Sequence, residues 1–134
     1  MDEPTLEAWL ARNRASWVNG NVRGANLSYA NLGQANLTNA DLTGSYLAYA
    51  NLSNADLSGA DLSGADLIGA WLVGAWFIGA NLSNVDLSGA NLLAAKMANV
   101  NLTAANLSGA ILTGADLTGA DLTGATMPDC TIRN

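Results

Sequence analysis

From Gly20 onward, the same pattern of apolar and polar positions repeats every five residues along this chain. An apolar residue recurs at every fifth position from Val22 to Ile132, with no insertion. This central residue is Leu in most units, and the exceptions are Val22, Phe77, Met97, Met127 and Ile132. Ala usually stands two positions before it, and Asn or Asp often stands between the two. Self-similarity at a fixed short period predicts a repeat architecture in which neighbouring units bury a shared core.

A period of five is incompatible with a regular helix or an unbroken strand. Five residues turn a helix by about 500°, so successive central residues would spiral round every face. In a strand, an odd step would send them to alternate faces. All central residues share one interior only if each unit is a short extended piece followed by a corner. Gly or Asn two positions after the central residue, as at Gly44 and Asn39, supplies the backbone freedom of such a corner. The chain is therefore predicted to wind as a solenoid.

Units such as ANLTN, ADLTG and ADLSG, repeated in tandem over residues 20–134, resemble the pentapeptide repeat family. That resemblance implies an all-β fold, a right-handed quadrilateral β-helix with four units per coil. A three-sided coil satisfies the packing of the central residues equally well, so the four-sided shape comes from the resemblance alone. On this basis we expect residues 1–19 to form an N-terminal capping helix and linker, and residues 20–134 to form the β-helix.

Four units per coil place residues that are 20 apart side by side in adjacent coils. Phe77 and Met97 are then neighbours, and we interpret this pair as packing, with Met filling the space around Phe. The predicted core of the middle coils consists of Leu62, Leu67, Leu72, Phe77, Leu82 and Met97.

The N-terminal segment is predicted to cover the first coil, because a bare solenoid end exposes unpaired backbone groups. In residues 3–14, Pro4 suits the first turn of a helix and the acidic residues favour its positive end. The apolar face of this helix would carry Leu6, Trp9 and Leu10. Trp17 is expected to extend the cover onto the first coil.

The C-terminal segment, ATMPDCTIRN, contains no comparable helix. Pro128 has no backbone N–H to donate to a neighbouring strand, and Asp129 and Arg133 place charges near the edge of the last coil. Either these residues blunt the edge, or the last coil meets another molecule. Because family members that dimerise commonly use this end, the resemblance implies a C-terminal homodimer as the alternative to a monomer.

Residues 67–80 carry neither a charge nor a strongly hydrogen-bonding side chain. Fourteen residues are too few for a membrane helix, which needs about 20, and the units ADLIG, AWLVG and AWFIG keep the five-residue register. We therefore expect no membrane partner. Outward positions that elsewhere hold polar residues are apolar here, and other apolar residues stack beside them. Tyr29 is expected to stack beside Tyr49, at the corner leading to the same side. The candidate partner-binding residues are Ile68, Trp71, Val73, Trp76, Ile78, Leu93, Ile111, Tyr46 and Tyr49.

Exposed apolar clusters rich in Trp and Tyr are typical of interaction sites. The leading hypothesis is therefore a non-enzymatic protein-interaction or scaffold module whose partner is another protein. Alternatively, the cluster is a ladder of stacked side chains that stabilises adjacent coils. Lys96 follows Trp76 in its column and is expected to lie over the indole as a local charge balance.

The net charge of −6, from eleven acidic and five basic residues, disfavours nucleic acid as a partner. Asp56, Asp61 and Asp66 occupy consecutive units, and Asp41 and Asp86 are expected to stack beside Asp61 and Asp66. Some members of the resembled family are acidic gyrase-binding proteins that imitate DNA. An acidic DNA-mimicking topoisomerase-binding protein is therefore the alternative function, although Asn is freely mixed with Asp here. A third class, an ice-binding solenoid, is disfavoured because Ile, Ala, Ser and Arg break the Thr columns.

The sequence offers no catalytic or metal-binding constellation. It has no His, the commonest general base, and no phosphate-binding loop or calcium loop. Cys130, expected at an inward position, has no evident base partner and is interpreted as a small buried residue. We therefore expect no enzymatic activity, no cofactor and no metal. A single Cys, and an acidic start without a long apolar run, favour the cytoplasm.

Overall fold

A computed structural model describes residues 17–133, which form a right-handed four-sided β-helix. Every parallel bridge joins residues 20 positions apart, from Asn21 with Asp41 to Asn106 with Thr126. Since each unit has five residues, four units complete one coil, and the three-sided alternative is excluded. Within residues 17–133 there is no helix, and the strands are reduced to single bridged residues separated by two-residue turns.

The four sides of the β-helix are numbered here by their central residues. Side 1 carries Val22, Leu42, Leu62, Leu82, Leu102 and Leu122. Side 2 carries Leu27, Leu47, Leu67, Leu87, Leu107 and Met127. Side 3 carries Leu32, Leu52, Leu72, Leu92 and Leu112, and side 4 carries Leu37, Leu57, Phe77, Met97 and Leu117.

The central residues form a narrow continuous core, as the sequence predicts. All of them from Val22 to Leu107 are buried, together with most of the Ala residues two positions earlier. The predicted core residues of the middle coils are completely buried, namely Leu62, Leu67, Leu72, Phe77, Leu82 and Met97. Each such Leu contributes about 2 kcal/mol through removal of its side chain from water. In the last coil Leu112, Leu117 and Leu122 are only partly buried, because no coil follows them.

Four of the five backbone N–H groups in a regular unit bond to backbone carbonyls. The central residue and the residue two positions later donate to the next coil, as Leu52 does to the Trp71 carbonyl at 2.8 Å. The residue before the centre donates to the previous coil. The residue three positions after the centre donates back to the central carbonyl and closes the corner. Adjacent coils are thus joined at three points in every regular unit.

The fifth N–H, on the residue after the centre, is bonded by a side chain. Every described Asn or Asp that precedes a central residue accepts this N–H with its Oδ1, at 2.9–3.3 Å. Such local bonds from Asn and Asp are typical of turns. Because both residues offer the same oxygen, they exchange freely along the repeat.

The corners have the left-handed backbone that the Gly and Asn pattern predicts. The residue two positions after the centre has a positive φ, for example 64° at Gly44 and 59° at Asn39. Tyr49 adopts the same conformation, and its ring lies over Gly69 in the next coil. A Cβ at Gly69 would collide with this ring. Gly at that corner therefore makes room for the tyrosine.

The last unit leaves the repeat, so the prediction of Ile132 as a central residue is wrong. Residues 131–133 turn back and run antiparallel to residues 124–127, with Thr126 bridged to Ile132. The Met127 N–H donates to the Thr131 carbonyl at 2.7 Å, and the Arg133 N–H donates to the Ala125 carbonyl at 2.8 Å. Since no later coil is available for these residues to pair with, the tail pairs with the preceding unit, and Ile132 is 67% exposed.

The turn of this C-terminal hairpin also corrects the expectation for Cys130. Its loop is Pro128, Asp129 and Cys130, and the positive φ of 69° falls at Cys130, one residue later than in regular units. A three-residue loop ending in a left-handed residue is a common hairpin connection. The thiol is consequently exposed, and Cys130 is not the small buried residue that the sequence suggested.

At the other end, the first described coil begins before Gly20. The Trp17 N–H donates to the Asn36 carbonyl at 2.7 Å, so residues 17–19, predicted as linker, already belong to the coil. The Trp17 ring is partly buried against the core and lies where a Cβ on Gly20 would stand. The predicted capping helix, with Leu6, Trp9 and Leu10, lies outside the described residues.

The apolar residues 67–80 continue the repeat without distortion across sides 2, 3 and 4. In the described part of the chain, no helix has the length and apolar character needed to cross a membrane.

Ser45 provides a test of the core. It replaces the usual Ala, is completely buried, and its hydroxyl has no hydrogen-bond partner among residues 17–133. Because an unsatisfied buried hydroxyl is costly, Ser45→Ala should raise the free energy of unfolding by about 1 kcal/mol in denaturant titrations. Ser83→Ala, at a partly exposed corner, should change it little and serves as the control. A loss of stability in Ser45→Ala would show that the hydroxyl is satisfied in the folded state.

Candidate protein-interaction surface

Side 3 carries the largest group of the candidate residues. Trp71, Asn91 and Ile111 form one column of bridged residues, and Val73 and Leu93 form the neighbouring column. Trp71 is 55% exposed although it lies in the middle of the β-helix, and Leu93 and Ile111 are also exposed. The structure therefore brings these residues together as the 20-residue spacing predicts.

Side 4 carries Trp76 and Ile78, and it already supplies a cation of its own. Both side chains are exposed, and Lys96 is bridged to Trp76 in the next coil. The Lys96 ammonium lies 4.5 Å from the centroid of the Trp76 ring. The predicted position of Lys96 over the indole is confirmed, and the contact is a cation–π interaction.

Side 2 carries Tyr46 and Ile68, and Tyr49 stands at the corner between sides 2 and 3. Tyr49 stacks on Tyr29, with ring centroids 5.3 Å apart and planes inclined by 17°. This confirms the predicted pairing of the two rings. Tyr29 is 73% exposed, so the pair forms a flat aromatic wall along the corner.

The candidate residues thus form a band around the middle coils. Sides 2 and 4 of a four-sided coil face in opposite directions, so Tyr46 and Trp76 cannot both contact one flat partner. Side 3, with the corners at Tyr49 and Val73, is the largest continuous part of the band. We call this part the side 3 surface, and its apolar members are Tyr29, Tyr49, Trp71, Val73, Leu93 and Ile111.

A groove of about 360 Å³ lies on the side 3 surface. Its lining residues are Tyr29, Asn31, Tyr49, Asn51, Ser53 and Trp71. Sequence reasoning placed Tyr49 and Trp71 among the candidates but left out the other four. The signal was available, since Asn31 and Asn51 precede Trp71 at 20-residue spacing and therefore lie in its column.

The two tryptophans stand where the repeat normally uses Asn or Asp as a backbone acceptor. Trp71 and Trp76 offer no such oxygen, so the N–H groups of Val73 and Ile78 lack the side-chain bond found in regular units. A hydrogen bond of this kind contributes about 0.5–1.5 kcal/mol. In these two neighbouring units, an exposed indole therefore replaces the side chain that would accept the N–H group.

The acidic residues of the described coils, apart from Asp129 in the hairpin loop, are divided among three sides. Asp41 is bridged to Asp61 on side 1, and Asp66 to Asp86 on side 2, as predicted. Asp56 and Asp116 are on side 4. These carboxylates accept hydrogen bonds within their own units, so acidity here accompanies a structural role. Arg23 lies 3.6 Å from Asp41 in an exposed ion pair, which adds little to stability because water screens both charges.

Threonine strengthens several of these local bonds. The Thr118 hydroxyl donates to Asp116 at 2.6 Å, in addition to the Thr118 N–H at 3.0 Å. The hydroxyl bond, followed by the backbone bond, lowers the pKa of Asp116 below its ordinary value. The pKa values of Asp41, Asp121 and Asp129 are lowered for the same reason by Thr43, Thr123 and Thr131. Hydrogen bonds to the charged form of a carboxyl favour that form.

Within residues 17–133, no three side chains of the types that ligate metals come together. The side 3 surface itself contains neither a carboxylate nor a thiol. Its aromatic rings, amides and hydroxyls are suited to contact and hydrogen bonding.

Comparison with known proteins shows where this architecture recurs. The family model described as pentapeptide repeats, in eight copies, matches residues 13–44, 25–64, 40–77, 60–96 and 95–134. Among curated proteins, none matches the chain.

Several solved structures are similar to the chain. Rfr23, a pentapeptide repeat protein from the cyanobacterium Cyanothece 51142, is 33% identical; the match covers 88% of this chain and 94% of Rfr23, with a TM-score of 0.51. HetL from Nostoc sp. strain PCC 7120, a protein involved in regulating heterocyst differentiation, is 31% identical over 86% of this chain and 73% of its own, with a TM-score of 0.42. A protein from the Arabidopsis thaliana thylakoid lumen is 34% identical over 84% of this chain and 72% of its own, with a TM-score of 0.44.

The Asp116–Thr118 pair predicts a measurable pH effect. Thr118→Val removes the hydroxyl donor and should raise the pKa of Asp116 toward its ordinary value of 3.8, as measured by NMR titration of the carboxyl carbon. Because the folded-state pKa is lowered, the wild-type bond stabilises the fold above the ordinary pKa. That contribution is lost as the pH falls through the lowered value. Thr113→Val is the control, because the unit of Thr113 contains no carboxylate. An unchanged Asp116 pKa in Thr118→Val would contradict the assignment.

Proposed function

The chain belongs to the pentapeptide repeat family, and we propose that it is a non-enzymatic protein-interaction module that docks another protein on the side 3 surface. The rigid β-helix presents aromatic residues at fixed positions, and a partner would bind without rearrangement of the backbone. Such a surface matches what is known of interaction sites, where Trp and Tyr act as anchors.

The exposure of Trp71 is the single observation that supports this proposal most strongly. Trp71 lies on the surface of a middle coil, at a position where most units have an Asn or Asp that accepts a backbone N–H. Asn51 and Asn91, directly before and after it in the column, both retain their capping bonds, to Ser53 and Leu93. An indole here weakens the local backbone and adds exposed apolar area, so we interpret it as a contact residue for another molecule.

A stabilising ladder of side chains and DNA mimicry both have less support. A ladder accounts for Val73 and Leu93, but it does not account for the exposure of Trp71 and Tyr29. DNA mimicry by an acidic topoisomerase-binding protein requires carboxylates in a continuous array. Here Asn81 and Asn101 interrupt the acidic column of side 1, and the remaining carboxylates are spread over other sides.

The proposal predicts a specific loss of binding when both indoles are removed. The double variant Trp71→Ser, Trp76→Ser should lose capture of the partner from extracts of the native cell, because it removes the Trp71 anchor of the side 3 surface, and such an anchor contributes about 2 kcal/mol or more. Its circular dichroism and thermal unfolding should stay close to those of the wild type, since both side chains are exposed.

The matched control changes the same repeat position on side 1, opposite side 3. Asn81→Ser, Asn101→Ser introduces the same residue twice, leaves the net charge unchanged, and should retain capture. Equal capture by both double variants would remove the proposal. A large loss of stability in the Trp variant would instead favour the ladder.

We also propose that, if two copies associate, they do so through the C-terminal end. The hairpin tail bonds only part of the last coil, at Gly124, Ala125 and Met127. The N–H groups of Leu112, Leu117 and Leu122 make no hydrogen bond to another described backbone group, and these side chains are only partly buried. Unpaired edges of this kind are templates for association.

Light scattering distinguishes the two states, since the monomer has a mass of 13.7 kDa. A mass twice that value should return to the monomer mass in Ile132→Asp, because the exposed Ile132 lies at this end. The Trp71→Ser, Trp76→Ser variant should keep the wild-type mass. Dissociation by the Trp variant and not by Ile132→Asp would place the contact on the side 3 surface.

A further inference from the structure

The groove on side 3 has the chemistry of a site for a cation. Tyr29 and Tyr49 form a wall along one edge, and Trp71 closes the groove at the next coil. Asn31 and Asn51 lie in the same column as Trp71 and form the floor, with Ser53 beside them. The opposite edge is low because position 33 is Gly. Aromatic rings carry negative charge on their faces and attract cations placed over them.

The net charge of the chain, and the absence of cations from the groove lining, suit such a ligand. None of its lining residues is Lys or Arg, and the chain carries a net charge of −6. Side 4 shows the same residue type already paired with a cation, since Lys96 lies 4.5 Å from the Trp76 ring. Trp71 occupies the equivalent position on side 3, but its neighbour in the next coil is Asn91. Trp76 therefore has a cation from its own chain, and Trp71 has none from the corresponding position.

The polar atoms of the groove include free acceptors. Asn31 Oδ1 accepts from the Gly33 N–H at 3.3 Å and from Asn51 Nδ2 at 3.4 Å. Asn51 Oδ1 accepts only the Ser53 N–H, at 3.0 Å, among the described donors, which leaves one lone pair. The Ser53 hydroxyl makes no hydrogen bond to any residue within 17–133, unlike the Ser63 hydroxyl, which donates to Asp61 at 2.7 Å.

We propose that this groove binds an arginine side chain presented by the partner protein. The inference rests on the proposed function and names the chemistry of the partner. Arginine fits better than lysine, because its planar guanidinium stacks on aromatic faces while its edge donates hydrogen bonds. The face would lie against Trp71 and Tyr49, and the N–H groups would reach Asn51 Oδ1 and Ser53 Oγ. Lysine is a compact, strongly hydrated charge and uses such a flat site less well.

The test uses short peptides and the full chain labelled with ¹⁵N. Ac-Gly-Arg-Gly-NH₂ should cause saturable NMR shifts in the amides of the groove residues and in one indole N–H. The same peptide with citrulline in place of arginine has nearly the same shape but no charge, and should bind about threefold to thirtyfold more weakly. Citrulline binding equal to arginine, or no saturable shift at about 10 mM arginine peptide, would overturn the proposal.

Variants separate the groove from the rest of the band. Trp71→Ala should weaken arginine-peptide binding about fivefold or more, and Tyr29→Ala should weaken it as well. Gly33→Leu should also reduce it, because φ at Gly33 is not positive and a Cβ there meets only ordinary contacts with Asn31 and Asn51, so the side chain can enter the groove. Trp76→Ala is the matched control, because the Trp76 ring already contacts Lys96. This variant should bind the arginine peptide as the wild type does. Unchanged spectra outside the substituted side would show that each variant is folded.

The outcomes also separate this inference from the proposed function. Trp-dependent capture of a partner, without a preference for arginine over citrulline, would leave the interaction surface in place and remove the cation site. Tighter binding of Ac-Pro-Pro-Pro-NH₂ than of the arginine peptide would likewise overturn the assignment, since a proline ligand uses aromatic faces without charge.

Discussion

The pairing of backbone N–H groups within and between coils holds this β-helix together and fixes its shape. A five-residue unit bends too often to form a regular strand, so its hydrogen bonds go to several kinds of partner. Three N–H groups bond to adjacent coils, one closes the corner, and one is accepted by the side chain of Asn or Asp. The Leu core supplies the apolar burial, but this pairing sets the register of 20 residues from coil to coil. It also explains why Asn and Asp interchange without any change in the fold.

That pairing makes departures from the repeat informative about function. An outward Asn, Asp, Ser or Thr has a local task and needs no partner outside the chain. An indole at the position of the capping residue has no such task, and at Trp71 it is accompanied by the Tyr29–Tyr49 wall and by acceptors in the groove floor. The indole of Trp76 also replaces a capping residue, but it is contacted by Lys96 of the same chain. The two tryptophans look equivalent in sequence, but their surroundings assign them different roles.

At the two ends of the β-helix, the backbone groups and the core are covered in different ways. Trp17 covers part of the first coil, and the C-terminal residues fold back to bond two N–H groups of the last coil. The turn at Pro128, Asp129 and Cys130 differs from the regular corner by one residue, which is enough to send Ile132 outward. Thr126 stands where most units have the Oδ1 of Asn or Asp, but Pro128, two residues later, has no N–H that requires such an acceptor.

The five-residue pattern alone was sufficient to predict the solenoid, its core and its corners, because a leucine at every fifth position has only one way to remain inside. It also placed Trp71, Trp76 and Lys96 on the outside. The Tyr29–Tyr49 pair followed only from the coil of four units that the family resemblance implies. The pattern could not choose four sides over three, since that depends on which coil accepts each hydrogen bond. The reversal of the C-terminal tail, and the groove that the aromatic rings enclose above the column of Asn31 and Asn51, became visible only in three dimensions. These features arise from contacts between coils and at the last edge, where the periodic pattern no longer dictates the partner.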